Sequence, residues 1–511
     1  MGNALAQNTQ VEVINADEFI YDNTTGIETQ LLRGNVHLRQ KETDFFCDSA
    51  YLYPQTNVLT AFGNIRFIQK KSRKETINVS GDTLIYNGNT KLGNLFGDVV
   101  LQDGETTIRT NRLDYDAEKK TAFYKNTPTT GKYQTSEITS KNGYYDTNAK
   151  TFVFKEKVVI TDPKFTLNAD TLNYETETKK ARFQGPTYIR SSGNLIYTER
   201  GSFDTQTRNA NLTQNAYLIT KENQVIKSDS LFYQDATEIG ICRGHVLFVD
   251  TTQKLMLQSG YAYIDKKEKT ALVHTNPLLL SYTQNDTLYL VADTILSTTN
   301  ALDSTRRIYA YNHVKAKRTG LIMQADSLFF STADSVFRLY KSPILWNDAY
   351  QISADSIHLF AKNKGFDKMV LYRQAFLIKQ NDSLRYDQIK GRILTATMNP
   401  KDKQIDKIDI RGNGQSIYYV LDEKNKFVGA NRVESTDIIM LVEKNKPKNI
   451  KFYTKPTGKT TPIRKAPPSE FKLEGFFWAK NQRIATEKSL NTRIKDFYTN
   501  EKYSWSELGK Q

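Results

Sequence analysis

Apolar and polar residues alternate along most of this chain, and the alternation is organised into two recurring phrases. The first is a small residue, an Asp and then apolar residues at every second position: Ala16-Asp17-Glu18-Phe19-Ile20-Tyr21, Gly81-Asp82-Thr83-Leu84-Ile85-Tyr86, Ala169-Asp170-Thr171-Leu172-Asn173-Tyr174, Ser228-Asp229-Ser230-Leu231-Phe232-Tyr233, Ala325-Asp326-Ser327-Leu328-Phe329-Phe330 and Ala354-Asp355-Ser356-Ile357-His358-Leu359. Weaker copies fall at Asp48, Asn111, Asn142 and Asp293. The second phrase runs Gly34-Asn35-Val36-His37-Leu38, Gly63-Asn64-Ile65-Arg66-Phe67, Gly97-Asp98-Val99-Val100-Leu101 and Gly244-His245-Val246-Leu247-Phe248. Copies step by about thirty residues; 17 to 48 to 82 to 111 is one run. A period of two within each phrase predicts strands with one apolar and one wet face, and the fixed step predicts a repeat protein that grows by adding rungs to one body.

Each repeat reads as two strands. Polar clusters such as Asp22-Asn23-Thr24-Thr25-Gly26 and Tyr86-Asn87-Gly88-Asn89-Thr90 have the composition of hairpin connections, and hairpin-linked strands pair antiparallel. In four copies of the second phrase proline takes the slot after the first residue (Pro128, Pro186, Pro277, Pro343), a residue tolerated where a strand begins. The Asp of the first phrase is expected at strand starts, satisfying backbone N–H groups of a turn, and Gly-Asn is expected to be a turn as well. The predicted fold is all-β: a long, antiparallel, folded-over sheet of about fourteen two-strand repeats, a solenoid with an apolar interior. Residues 1–13 read as an export-signal remnant or a disordered start, 14–454 as the solenoid and 455–511 as a Pro-rich basic linker and tail.

Composition sharpens this picture. Mean hydropathy is −0.58, low for a conventional core, yet the chain holds 29 Tyr and 26 Phe against 6 Met, the signature of β-structure with a polar outside. No window of eighteen apolar residues exists; even Leu278 to Leu296 is broken by Asp286 and Asp293. Ala4-Leu5-Ala6 matches a small-x-small cleavage pattern, without the basic and apolar regions that normally precede it. Residues 443 to 511 carry 16 Lys or Arg against 7 Asp or Glu, which is +9 of the total +15, and their expected counterpart is an anionic membrane surface or glycolipid rather than nucleic acid. Within that stretch Phe471 to Trp478 reads as a short strand or plug.

Little points to catalysis. Cys47 and Cys242 stand 195 residues apart and the five histidines are isolated, so neither a disulfide framework, a metal site nor a cofactor is expected. The Asp of each rung is one of a row, whereas glycoside cleavage needs two carboxylates singled out at one place. By parity, Phe19, Tyr21, Val36, Leu38, Leu84, Tyr86, Val99, Leu101, Leu113, Tyr115, Leu172, Tyr174, Leu231, Tyr233, Leu328, Phe330, Ile357 and Leu359 face inward, lining either a filled core or an open groove.

The interlocked phrases, Gly81-Asp82-Thr83-Leu84-Ile85-Tyr86 and Gly34-Asn35-Val36-His37-Leu38 among them, resemble those of the OstA/LptA lipopolysaccharide-transport proteins over roughly residues 14 to 454. The resemblance implies a β-taco fold whose inward residues line a groove for acyl chains, with no enzymatic step. It further implies a periplasmic protein, possibly outer-membrane-associated, that bridges the two membranes and joins other transport proteins by edge-strand addition. This chain has many more rungs than the small bridging member and lacks the amphipathic strands of the barrel-forming one. The competing readings are a scaffolding solenoid with a filled core and a carbohydrate-active solenoid enzyme.

Overall fold

The computed structural model describes residues 10–24, 28–72, 75–133, 135–283, 286–347, 350–362, 365–399, 404–443 and 446–500. The expected export-signal remnant at residues 1 to 6, part of the Asp22–Gly26 turn and residues 501–511 of the basic tail lie outside them. The described residues form 38 strands, with every recorded pairing antiparallel, and one α-helix, Lys480–Thr499. The chain divides into two compact units: residues 1–222 with 230–236, and residues 223–229 with 237–511.

In both units long strands bend sharply near their middle. In Thr29–Gln40, Val58–Lys70 and Leu92–Asp103 the bend is the Gly-Asn or Gly-Asp pair itself: Gly34 and Asn35 have φ of 71° and 44°, Gly63 and Asn64 of 75° and 46°, Gly97 and Asp98 of 74° and 39°. Two successive left-handed residues form a bulge, and the ladder skips them: pairing jumps from Phe62 to Ile65 and from Phe96 to Val99. The same pair recurs at Gly244-His245, Asn312-His313, Arg373-Gln374 and Gly412-Asn413. The second phrase is therefore a corner within a strand, not a turn before one. The strand must hold its pairing on both sides of the kink, so only the two bulged residues leave the ladder. Where pairing also breaks, one bent strand counts as two, as with Thr121–Tyr124 and Thr129–Tyr133.

The Asp of the first phrase also sits at a corner rather than at a strand start. Asp82 lies inside Thr76–Asn87, and Asp229 lies between Gln224–Ser228 and Ser230–Gln234. Its work is to fasten the neighbouring bulge. Asp17 donates its N–H to the carbonyls of Arg33 and Gly34 (3.1 and 3.0 Å), and its Oδ2 accepts from Asn35 Nδ2 (2.8 Å). Asn64 Nδ2 reaches Asp48 Oδ2 at 2.9 Å, and in the other unit His245 Nδ1 and His313 Nδ1 lie 2.7 and 2.8 Å from Asp229 and Asp293. A Cβ at Gly63 would run into the Asp48 carboxylate, so φ and contact both require glycine there. Pro128, Pro186, Pro277 and Pro343 stand at these corners too, where the missing N–H costs no ladder bond.

Strand ends are joined by short turns. Tyr86-Asn87-Gly88-Asn89-Thr90 is one: Asn87 Oδ1 accepts from the N–H groups of Asn89 and Thr90 (both 3.0 Å), and left-handed Lys91 (φ 56°) starts the return. At the C-terminal end of the second unit the sheet runs on through Lys446–Tyr453 and Thr457–Pro462, both paired with Phe427–Glu443. Beyond it the chain continues through a short 3-10 turn, Ile463–Lys465, to the helix.

Gly63→Ala should cost about 1–3 kcal/mol through left-handed strain alone, and more if Asp48 cannot move. Asp48→Ala should cost about 0.5–1.5 kcal/mol for the lost corner hydrogen bond. Urea unfolding midpoints check both; equal midpoints for wild type and Gly63→Ala would remove the corner as the device that bends the strands.

Candidate functional site

Each bent strand contributes a segment to two walls, and the inward faces of the walls meet. On one wall of the first unit Phe45, Phe67, Val79, Leu101 and Ile108 pair in a row across successive strands; on the other, Leu52, Leu59, Tyr86, Gly93 and Tyr115 do the same. The rows touch. Ring centroids lie 4.7 Å apart for Phe45–Tyr86 and 5.1 Å apart for Phe67–Tyr115, within the range of favourable aromatic pairing. Farther along, Tyr145, Phe152 and Phe154 stack at 4.0 and 5.1 Å.

Val36, Leu38, Leu84, Tyr86, Val99, Leu101, Leu113, Tyr115, Leu172, Tyr174 and Leu231 are buried in the first unit and Leu328, Ile357 and Leu359 in the second, and Tyr233 and Phe330 are half-buried. Phe19 and Tyr21 instead are 54% and 53% exposed. Their parity is inward, since Phe19 pairs with buried Leu32, but Glu18–Asp22 belongs to the first described rung, which has a strand neighbour on one side only. On the outer face Ile85 is exposed and Val100 half-buried.

The parity of the phrases does not show how the interior is closed. The inward series Val36-Leu38, Ile65-Phe67 and Val99-Leu101 each continue, two residues on, to a polar side chain: Gln40, Gln69 and Asp103. All three are held across the interior. Tyr86 Oη donates to Gln40 Oε1 (2.6 Å) while Gln40 Nε2 donates to the Gly88 carbonyl (2.9 Å). Tyr115 Oη and the Ala117 carbonyl engage Gln69 in the same way (2.6 and 2.7 Å). In the third rung Asp103 accepts from Tyr145 Oη (2.7 Å) and pairs with Lys71 Nζ (2.6 Å), both charges nearly buried. These ties close one end of the interior wall to wall. Burial raises the pKa of Tyr86 and Tyr115, so their hydroxyls stay donors.

The second unit closes differently. Its interior is covered by the chain's own C-terminal segment, through two buried glutamines that read peptide groups. Gln388 Nε2 donates to the Phe471 carbonyl (2.9 Å) and its Oε1 accepts from Leu473 N–H (2.8 Å); Gln351 does the same with Phe477 and Ala479 (2.8 Å each). Ala466 and Leu473 join Phe376, Ile378, Ile417, Tyr419 and Ala430 in one apolar cluster, with Phe471, Phe476 and Trp478 packed against it. Residues 471–478 thus seat as an irregular plug, and the helix beyond them sets Leu490 against Ile322, Ile344 and Trp346.

Other candidate chemistry is committed elsewhere. A cleft of about 540 Å³ gathers Glu75, Asp103, Glu105 and Glu177 with Lys150 and Lys179, but Asp103 is tied to Lys71, and Glu75 and Glu177 flank Lys150 at 4.0 and 3.6 Å. Cys47 and Cys242 are free and buried, and burial pushes their thiols up to about 12 and about 11. Among the described residues no group of three His, Cys, Asp or Glu is arranged to hold a metal, and no helix is long and apolar enough to cross a membrane.

Fold and interior together define an antiparallel β-repeat protein whose bent strands enclose an apolar interior. Residues 8–170 match the family of OstA-like proteins, which covers the first repeats of both phrases and supports an OstA/LptA-like chain. Among solved structures the chain is similar to LptH, the LptA-homologous periplasmic component of the lipopolysaccharide transport device of Pseudomonas aeruginosa. Identity is 21%, over 22% of this chain and 80% of that one, with a TM-score of 0.21. It is also similar to the WD40 domain of SCAP from fission yeast, at 9% identity over 86% of this chain and 99% of that one, with a TM-score of 0.11. Neither likeness bears on function. No curated protein matches the chain.

Gln40→Leu strands the Tyr86 hydroxyl and the Gly88 carbonyl, and should cost about 1–3 kcal/mol. Adding Tyr86→Phe should cost less than it does in the wild type, and a double-mutant cycle in urea measures the coupling; strict additivity would mean the two side chains do not cooperate. The raised thiols predict that Cys47 and Cys242 resist alkylation near neutral pH until the protein unfolds. A group whose folded pKa is raised stabilises fully below its ordinary value of 9.0, so this contribution fades as pH climbs from there toward about 12 for Cys47 and about 11 for Cys242. Stoichiometric labelling of the native chain would contradict the burial.

Proposed function

We propose that this chain is a periplasmic carrier of lipopolysaccharide or a related glycolipid, holding acyl chains against the inward apolar rows and doing no chemistry on them. The observation that carries the reading is the inward face of the OstA-like segment, where Leu84 and Tyr86 pair with Leu95 and Gly93 on one wall and Leu101 pairs with Val79 on the wall that faces it. Burial of hydrocarbon supplies roughly 0.8 kcal/mol per methylene, so such a face binds acyl chains with no dedicated polar residue. The first described rung, with its exposed Phe19, Ile20 and Tyr21, offers an edge for strand addition by other transport proteins, and the bridging of inner to outer membrane would be built from such joints. The basic C-terminal stretch suits contact with an anionic membrane surface or with lipid phosphates.

A second reading, a scaffold with a filled core, is favoured by the aromatic contacts at 4.7 and 5.1 Å between the walls. The two readings differ in whether these walls part. A photo-crosslinking residue at Leu84 or Leu101 should capture lipopolysaccharide in cells, whereas one at Thr83 or Asp98 should not. Equal capture from both sets, or none from either, would leave the scaffold. Leu84→Asp adds a second test: in walls that part for lipid the charge stays hydrated and blocks capture at modest cost in stability, whereas in a permanently filled core it costs several kcal/mol.

A further inference from the structure

The two parts of the C-terminal segment are held to the second unit by different physics. Residues 466–478 are anchored by apolar and aromatic side chains and by the paired amide contacts of Gln388 and Gln351. The helix Lys480–Thr499 buries only Thr486, Leu490 and Phe497, and leaves Ile484 and Tyr498 55% and 64% exposed. Its polar contacts to the sheet are part-buried or exposed: Lys317 Nζ to Glu487 and Asn491 (3.2 and 2.8 Å), Lys315 Nζ to Ser489 (3.3 Å), Thr486 Oγ1 to Gln324 (2.7 Å) and Arg493 to the Asn276 carbonyl.

The helix has little stability of its own. Its N-cap is Ala479, which makes no side-chain capping bond; the first turn holds Lys480 and Arg483 and no acid, and the last turn holds no base. Both ends oppose the helix dipole, and twenty residues so placed are marginal without a surface to fold on. What Leu490 covers is apolar: Ile322, Ile344 and the fully buried Trp346.

From this we infer that the C-terminal helix is a lid over a second acyl-chain site, the slot formed by Ile322, Ile344 and Trp346, and that an acyl chain bearing an anionic head displaces Leu490 and lifts the helix while residues 466–478 stay seated. The head-group preference follows from the rim. Lys315 and Lys317 lie beneath the helix, and the helix carries five bases (Lys480, Arg483, Lys488, Arg493, Lys495) against Glu487 and Asp496, so a lifted lid leaves cations on both sides of the slot. The inference rests on the carrier reading and adds to it a gated place of entry or exit.

The test uses the full chain, a long-chain fluorescent fatty acid as probe and hydrogen exchange over residues 480–499. Leu490→Asp should loosen the lid. Asn481→Glu with Gln482→Glu, at exposed positions, puts acids in the first turn and should tighten it. Saturating probe should speed exchange of the helix several-fold in the wild type while residues 466–478 remain protected. Probe affinity should rise several-fold in Leu490→Asp and fall several-fold in the tightened variant, which also covers the case in which Leu490→Asp fails to fold. Helix exchange that ignores the probe, or equal affinity in wild type and tightened variant, overturns the lid. If that happens while crosslinking at Leu84 still captures lipopolysaccharide, only the lid falls; if Leu84 captures nothing either, the carrier reading falls with it.

Discussion

Two successive residues in the left-handed region of backbone space, recurring in alternate strands, are the constraint on which this structure depends. An extended strand of eleven to thirteen residues that stayed flat would present one face to one neighbouring layer. Bent at a bulge, the same strand lends half its length to each of two walls, and its inward side chains face those of the other half. The cost of the left-handed pair is lowered by glycine at the first position and Asn, Asp or His at the second, and is offset by the Asp across from it, which takes the corner's carbonyl on its N–H and, in several rungs, the corner side chain on its carboxylate. Interior, closure and exposed ends all follow from where that corner falls.

Within each unit the interior so made is apolar, and it is polar where it closes. Gln40, Gln69 and Asp103 tie one wall to the other through tyrosine hydroxyls, while Gln351 and Gln388 turn the same amide chemistry on the C-terminal segment. A buried amide with both its donor and its acceptor engaged holds a defined geometry, because any shift leaves a polar group stranded at low dielectric. The first unit is closed by its own tyrosines and the second by a peptide that arrives from the far end of the chain. A device that opens is more easily built on the second arrangement, since lifting a docked peptide leaves the sheet pairing untouched.

Particular residues show what could be read in advance. Leu84 and Tyr86, Val99 and Leu101, Leu172 and Ile357 are inward by parity and buried in the structure, because a two-residue period leaves a strand only one way to face. The same parity carried on to Gln40, Gln69 and Asp103, and a polar residue at an inward position was there to be noticed as a cross-wall tie. Phe19 and Tyr21 follow the parity too, yet lie exposed, because burial needs a neighbour on each side and, among the described residues, their strand has one on a single side, which parity does not show. The Asp and Gly-Asn phrases were recognisable as backbone devices, but not as corners: a left-handed pair inside a strand and one in a hairpin have the same composition and differ only in whether pairing resumes beyond them.

The sequence by itself therefore determined the all-β class, the repeat length and the side of each strand that turns inward, since each is a local property of spacing and residue type. Tertiary structure alone decided that the expected fold-over falls at the phrases, inside the strands, that the two walls meet ring to ring, and that residues 466–499 run back over Gln388, Gln351 and Gln324. Those contacts join residues between 83 and 162 positions apart, a separation at which no periodicity survives and only the closed shape of the chain brings the partners together.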